Sequence, residues 1–184
     1  MNHLIFAGLP IQTQSALASI SAAVTGVLPV DVRSWRIDVS KLPTELDGMA
    51  LVQEVSAWAG RSKACLYYFD CCAPGIDLSK VEQTFAVAKA HETNDRAYPR
   101  LNAKGQCFYV GSSQSVAKRL SEHLGYRARK TYALQLIYWA RPLALELEFV
   151  CARYAESTPP AVVQALEDTL WETKVPMFGR QGRK

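Results

Sequence analysis

The chain has 184 residues, 49% of them apolar and 21% charged, so it can build one hydrophobic core but leaves little room for two domains. This balance excludes a disordered or low-complexity chain. The net charge of +4 is unevenly distributed. Residues 96–130 carry eight Lys or Arg against one acid, and residues 174–184 carry four bases and no acid. These segments could follow a polyanion backbone, although a basic segment can equally be a solvated face.

The N-terminal thirty residues contain no Lys, Arg, Asp or Glu, which raises the question of a signal peptide. Against this, no base precedes the apolar run Leu4–Ile11, and that run is short and contains Pro10. It is also too short to span a membrane. Five Cys form no C-x-x-C pair, so we expect reduced thiols, mostly in the core, and a cytoplasmic protein.

Four elements are predicted before residue 60. Residues 3–9 have the composition of a short strand, and residues 12–24 that of a weak helix. Residues 31–39 partly alternate, which makes three of them candidate buried positions: Val32, Ile37 and Val39. A further helix is predicted from a Thr44 cap to Trp58, with Asp47 three residues after the cap.

The remaining chain alternates between predicted strands and helices. Aromatic content and period-two alternation predict strands at residues 64–71, 106–111 and 143–153. Apolar spacing, caps and proline positions predict helices at residues 78–92, from Ser113 or Ser115 to Leu124, at 130–139, and from Pro160 to Trp171. We therefore expect a three-stranded sheet with helices packed on it.

Several polar and aromatic residues recur at fixed intervals on these elements. Cys65-Leu66-Tyr67 and Tyr109-Val110-Gly111 lie on the first two of these strands. Arg119 follows Tyr109 by ten positions, His123 follows Arg119 by four, and Pro176 follows Glu167 by nine. In this order and spacing, residues 64–180 resemble the GIY-YIG nucleases, whose two strand motifs are Gly-Ile-Tyr and Tyr-Ile-Gly.

The resemblance implies an α+β fold with a small three-stranded antiparallel or mixed sheet flanked by helices. Residues 1–63 would be an N-terminal extension packed on or beside the core, and residues 64–184 the nuclease domain. Tyr67 and Tyr109 stand 42 positions apart, farther than is usual in the family, which implies a helical insertion at about residues 73–105. A second departure is Gly179, which stands where the family has an Asn that helps to order the site.

The resemblance also implies a metal-dependent endonuclease that hydrolyses phosphodiester bonds in DNA. Catalytic roles are then expected for Tyr67, Tyr109, Arg119, His123 and Glu167. Glu167 would bind Mg²⁺ or Mn²⁺, because a hard cation prefers carboxylate oxygen and keeps several waters. Arg119 would clamp a phosphate, a tyrosine would assist the attack of water, and His123 would orient a tyrosine or transfer a proton. Contacts to the nucleic-acid backbone are expected from Lys118, Arg127, Arg129, Lys130 and Arg180.

Two alternatives remain open from the sequence. The same fold with a weakened site would hold nucleic acid without cutting it, and the loss of the family Asn favours that alternative. A plain interaction protein with accidental motif matches is the other, and the basic segment at residues 96–130 argues against it. Residues 1–60 could cover the sheet, form a homodimer surface or contact DNA, and the sequence does not choose among these. We expect no membrane partner.

Overall fold

The structure, a computed structural model, describes residues 2–45, 49–91, 95–127 and 129–182, with side chains from residue 9 onward. Its helices are α1 (Asn2–Val24), α2 (Ala50–Ala59), α3 (Leu78–Ala90), α4 (Val116–Leu124) and α5 (Pro160–Lys174). Its strands are β1 (Asp31–Asp38), β2 (Cys65–Cys71), β3 (Cys107–Ser113) and β4 (Glu146–Arg153). Short 3-10 turns occupy Val39–Lys41, Leu136–Tyr138 and Arg141–Leu143. No helix among the described residues is both long and apolar enough to cross a membrane.

The sheet has four strands in the order β1-β4-β2-β3, and every pair is antiparallel. The predicted α+β class and the flanking helices are confirmed, but the prediction of three strands was wrong. Residues 31–38 form the additional strand, which pairs with β4 along its full length from Asp31–Arg153 to Asp38–Glu146. Strand β3 is an edge of the sheet, and this edge carries the candidate site.

Side chains alternate across the sheet and build a core on each face. The larger core joins Tyr67, Phe69 and Phe149 of the sheet to Leu120 and Leu124 of α4. The smaller one joins Leu66 and Ala152 to Val163, Leu166 and Leu170 of α5. Helices α4 and α5 therefore cover opposite faces of the sheet, which brings their side chains to β3 from two sides.

Local patterns account for most of these elements. Strand β4 buries Leu147, Phe149 and Cys151, while the alternating Glu146 and Glu148 are more exposed, as the alternation predicts. Helix α3 buries the predicted stripe of Val81, Phe85 and Ala88. Ile37 of β1 and Val39, just after the strand, are buried as expected. Five free thiols are present, of which Cys72 is exposed.

Four local predictions were wrong. Residues 3–9 belong to α1 and not to a strand, because a short apolar run does not distinguish the two. Val32 is 52% exposed. Helix α2 begins at Ala50 and not after Thr44, and the cap partner Asp47 lies outside the described residues. Residues 130–139 hold one 3-10 turn, because Gln135 takes a left-handed conformation with φ of 56° and interrupts any longer helix.

Candidate active site

Two tyrosines from neighbouring strands meet one arginine at the β3 edge. Tyr67 on β2 and Tyr109 on β3 have stacked rings, with centroids 6.4 Å apart and planes 10° apart. Arg119 on α4 donates its Nε–H to Tyr67 Oη at 3.2 Å and an Nη2–H to Tyr109 Oη at 3.0 Å. The first two strand motifs and the helix motif therefore converge on one guanidinium.

The glycine that ends the Tyr-Val-Gly motif allows this convergence. Gly111 pairs directly with Tyr67 across the β2–β3 ladder. A Cβ on Gly111 would stand 2.7 Å from Tyr67 Oη and 3.0 Å from Tyr109 Cε1. Because no side chain fits there, the absence of a Cβ lets the Tyr67 hydroxyl lie over the β3 backbone and reach Arg119.

Arg119 is itself held tightly. Its Nη1 lies 2.9 Å from Glu122 Oε2, one helical turn away, and its Nη2 also donates to the Tyr132 carbonyl at 2.8 Å. The side chains of Arg119 and Glu122 are 18% and 8% exposed. A guanidinium has five N–H donors, and four of them are engaged here. Glu122 was not among the residues singled out from the sequence, although its i+3 spacing from Arg119 is a recognisable ion-pair signal.

His123 is fully buried and its protonation state follows from its partners. The Leu134 backbone N–H donates to Nδ1 at 3.2 Å, so Nδ1 is unprotonated. The proton therefore lies on Nε2, which is 3.1 Å from Tyr67 Oη and donates to it. Burial, with a smaller contribution from the Arg119 charge, holds the pKa of His123 well below its usual value. The ring is thus a neutral donor to Tyr67.

The two tyrosines differ in their access to solvent. Tyr67 is 1% exposed, and burial raises the pKa of its phenol well above the usual value despite the opposing effect of Arg119. Tyr109 is half-buried and lines a surface cavity of about 460 Å³ together with Tyr132, Arg100 and Arg180. A molecule that enters this cavity reaches Tyr109.

Glu167 approaches from the other side of the sheet, on α5. Its Oε2 accepts a hydrogen bond of 2.5 Å from Ser112 Oγ on β3. Burial raises the pKa of the Glu167 carboxyl, while Ser112 and, more weakly, Arg119 act to lower it. The adjacent Asp168 points elsewhere, since its Oδ1 accepts from Gln164 Nε2 at 3.2 Å. Ser112 was also missed from the sequence.

The segment after α5 packs against Tyr109. Gly179 has a φ of 108°, and a Cβ there would stand 3.0 Å from Tyr109 Cε2. Asn102 Nδ2 donates to the carbonyls of Pro176 and Gly179, both at 3.1 Å. Asn102 thus ties down the segment in which the family has its own Asn. Nothing in the local sequence pattern marks Asn102, because its partners are more than seventy positions away.

The donor set for a metal is sparse. Among the described residues, no cluster of three or more His, Cys, Asp or Glu could enclose an ion. Glu167 offers one carboxylate with an oxygen not used by Ser112, which fits a Mg²⁺ or Mn²⁺ ion that keeps most of its waters and binds substrate phosphate. It does not fit a site in which protein ligands fill the coordination sphere.

The five cations expected to bind nucleic acid are distributed around this centre. Lys118 and Arg127 line a groove beside α4, and Arg180 lines the cavity at Tyr109. Lys130 pairs with Asp95 at 2.8 Å, with both side chains largely exposed. Arg129 is exposed.

The family model for the GIY-YIG catalytic domain matches residues 97–176, somewhat less than half of the chain. The match includes Tyr109, Arg119, His123 and Glu167. This match supports membership of the GIY-YIG nuclease superfamily. Tyr67 precedes the matched range, on the strand that pairs with β3. No curated protein and no solved structure matches the chain.

A GIY-YIG domain is a nuclease-type domain, and its members are generally metal-dependent endonucleases. Membership therefore implies a nucleic acid as the substrate. Strand β1 of the sheet comes from the segment that precedes the matched range. Helix α3 lies between β2 and β3, within the segment expected to be an insertion.

Proposed function

We propose that this protein is a metal-dependent endonuclease that hydrolyses phosphodiester bonds in DNA. The observation that carries the proposal is the single guanidinium of Arg119 bound to the hydroxyls of Tyr67 and Tyr109. An arrangement that brings two phenols to one cation, beside a half-buried carboxylate, is suited to a reaction at phosphorus, where negative charge develops.

Arg119 would act mainly by position and charge. One N–H, on Nη1, remains for a phosphate oxygen, because the other four already have protein partners. A bidentate clamp on phosphate would require one of these bonds to break. We infer that Arg119 gives a single hydrogen bond to the scissile phosphate while its positive charge offsets the charge that develops there.

Tyr109 is the better placed of the two tyrosines to accept the proton of the attacking water. It borders the open cavity, whereas Tyr67 is enclosed and its phenol strongly resists ionisation. Tyr109 would accept the proton as its phenolate, and the hydrogen bond from Arg119 stabilises the negative charge on Oη until the proton is transferred. Tyr67, held by His123 and Arg119, then serves as a positioning residue that fixes the guanidinium.

Glu167 would hold the divalent ion at the β3 edge, with Ser112 fixing the orientation of its carboxylate. A bound Mg²⁺ or Mn²⁺ supplies Lewis-acid stabilisation of the phosphoryl oxygens and of the leaving group. Glu167 and Arg119 approach β3 from opposite faces of the sheet, so the substrate phosphate would lie across the strand edge between them.

The alternative is a binding module of the same fold that does not cut. Gly179 at the family Asn position favours it, and the two Asn102 hydrogen bonds to the same segment argue against it. The two proposals differ in one measurable property, which is metal-dependent cleavage.

The test is a plasmid-nicking assay with Mg²⁺ or Mn²⁺ on wild type, Glu167→Gln and the control Asp168→Asn. The glutamine keeps the shape and removes the metal-binding charge, so cleavage should fall at least about 100-fold. The asparagine removes a neighbouring acid that bonds Gln164, and its cleavage should stay near wild type. Equal activity in wild type and Glu167→Gln, or salt-sensitive DNA binding without cleavage, would contradict the endonuclease proposal.

A further inference from the structure

A groove of about 630 Å³ runs beside the candidate site, on the α4 side of the sheet. Its walls come from the end of α2, the turn that leads to β2, and the beginning of α4. Four cations line it, namely Arg61, Lys63, Lys118 and Arg127, against the single acid Glu156. Two of these cations, Arg61 and Lys63, come from the segment before β2, to which the sequence assigned no role.

These four cations differ from the paired cations of the protein. Within the described residues, no carboxylate forms a salt bridge with any of the four, and none of their side-chain nitrogens makes a hydrogen bond. Six other cations do pair with acids: Arg33, Lys41, Lys104, Arg119, Lys130 and Lys174. Four like charges that share one groove with a single acid favour an anionic occupant.

The groove is continuous with the site. Gln114, Ser115 and Lys118 line both this groove and the smaller pocket that contains Arg119 and Glu122. Helix α4 begins on this shared wall at Val116, and the Ser115 side chain makes no capping hydrogen bond. The amides of the first helical turn therefore add to the positive potential. A strand whose phosphate lies at Arg119 can continue directly into the groove.

We propose that this groove binds the phosphate backbone of the nucleic-acid substrate to one side of the cut, with Arg61 and Lys63 as its outer contacts. The inference rests on the proposed nuclease function and extends it to the segment before β2. The part of the chain before β2 then has two roles: it supplies the additional strand β1, and it takes part in substrate binding. Contacts of this kind hold the backbone without reading its sequence.

The experiment measures the salt dependence of duplex-DNA binding in EDTA, so that no cleavage occurs. The groove variant is Arg61→Ala with Lys63→Ala. The matched control is Arg36→Ala with Lys80→Ala, which removes the same charge from exposed positions on β1, at the opposite sheet edge, and on α3. All three proteins should melt at similar temperatures, because the replaced side chains are exposed.

We expect the slope of log K against log salt to become shallower by about 1.8 in the groove variant, at about 0.9 per lost phosphate contact. The control should keep the wild-type slope. An unchanged slope in the groove variant overturns the inference, as does an equal change in both variants, which would reflect net charge alone.

Cleavage in Mg²⁺ separates this inference from the proposed function. If wild type cuts DNA but the groove variant keeps the wild-type salt slope, the nuclease proposal stands and the groove proposal is overturned. If wild type does not cut DNA but the salt slope is shallower in the groove variant alone, the groove proposal stands and the nuclease proposal is overturned. If wild type fails to bind DNA at low salt, both are overturned.

Discussion

Arg119 and Glu122 form an ion pair across one turn of α4, with 2.9 Å between Nη1 and Oε2 and only 8% of the Glu122 side chain exposed. Arg119 also donates hydrogen bonds to Tyr67 and Tyr109, so the geometry of the site depends on this ion pair. Removing one charge would leave the other buried without compensation, which is more costly than losing an exposed pair.

Arg119→Ala should therefore lower the free energy of unfolding by about 3 kcal/mol, and adding Glu122→Gln should restore much of this loss. The control is Lys130→Ala, which breaks the exposed pair with Asp95 and should cost less than about 1 kcal/mol. Chemical denaturation of the four proteins gives the values. Equal losses for Arg119→Ala and Lys130→Ala would contradict the buried-pair interpretation.

His123 should make stability depend on pH. Its folded-state pKa is depressed, so between that pKa and about 6.5 the unfolded chain binds a proton that the folded chain does not. Stability should consequently fall as pH drops below about 6.5, by up to about 1.4 kcal/mol per pH unit. In His123→Gln this contribution should disappear, while His91→Gln, at an exposed position, should retain it. Urea unfolding between pH 5 and 8 measures the difference, and parallel curves for wild type and His123→Gln would refute it.

Glu167 should set the acid limit of cleavage. Burial raises its pKa from 4.5, and the metal requires the ionised carboxylate, so activity should decline with falling pH earlier than an ordinary Glu would allow. Ser112→Ala removes the hydrogen bond that lowers this pKa and should move the acid limb to higher pH. Thr173→Ala removes an exposed hydroxyl from the same helix and should leave the limb in place. The pH profile of kcat/KM measures the position of the acid limb in each protein. An acid limb at the same pH in wild type and Ser112→Ala would exclude Glu167 as the titrating group.

Restoring the family residue at Gly179 should impair the protein. Gly179→Asn would place a Cβ 3.0 Å from Tyr109 Cε2. It would also put a residue with a side chain at a backbone φ of 108°, which such residues rarely adopt. We expect a loss of about 1–3 kcal/mol in stability and lower cleavage, because the Tyr109 ring must shift. Higher activity in Gly179→Asn would show that the segment adapts and that Asn102 has no special role.

Asn102→Ala should loosen the same segment without crowding it. Two hydrogen bonds to main-chain carbonyls disappear, at about 1 kcal/mol each. Cleavage should fall through a less well-ordered Tyr109, and Asn102→Asp should not restore it, because a carboxylate cannot donate to these carbonyls. Thermal melting and kcat for both variants test this, and full activity in Asn102→Ala would contradict it.

The sequence predicted what depends on local periodicity. Helix α4 could be placed from its Ser115 and Gly125 boundaries, and β4 from its alternating Leu147, Phe149 and Cys151. The convergence of Tyr109, Arg119 and His123 also follows from local spacing, since ten and four residues span one strand-to-helix connection and one helical turn.

What the sequence did not predict depends on distant contacts. The place of β1 in the sheet rests on pairing between Asp31 and Arg153, which no local pattern encodes. Asn102 and Ser112 were missed for the same reason, because their partners lie on segments 55 or more positions away. The groove cations Arg61 and Lys63 join Lys118 and Arg127 only through the packing of α2 against α4.

The position of β4 has a consequence for how the protein is made. This strand lies between β1 and β2, both of which precede it by more than seventy residues in the chain. During synthesis from the N terminus, β1 therefore has no strand partner until β4, which ends at Arg153, has left the ribosome. Helix α5 with Glu167 emerges later still. The sheet is completed by its last strand, so a growing or truncated chain that ends before α5 holds Tyr67, Tyr109 and Arg119 but lacks the Glu167 carboxylate of the candidate site.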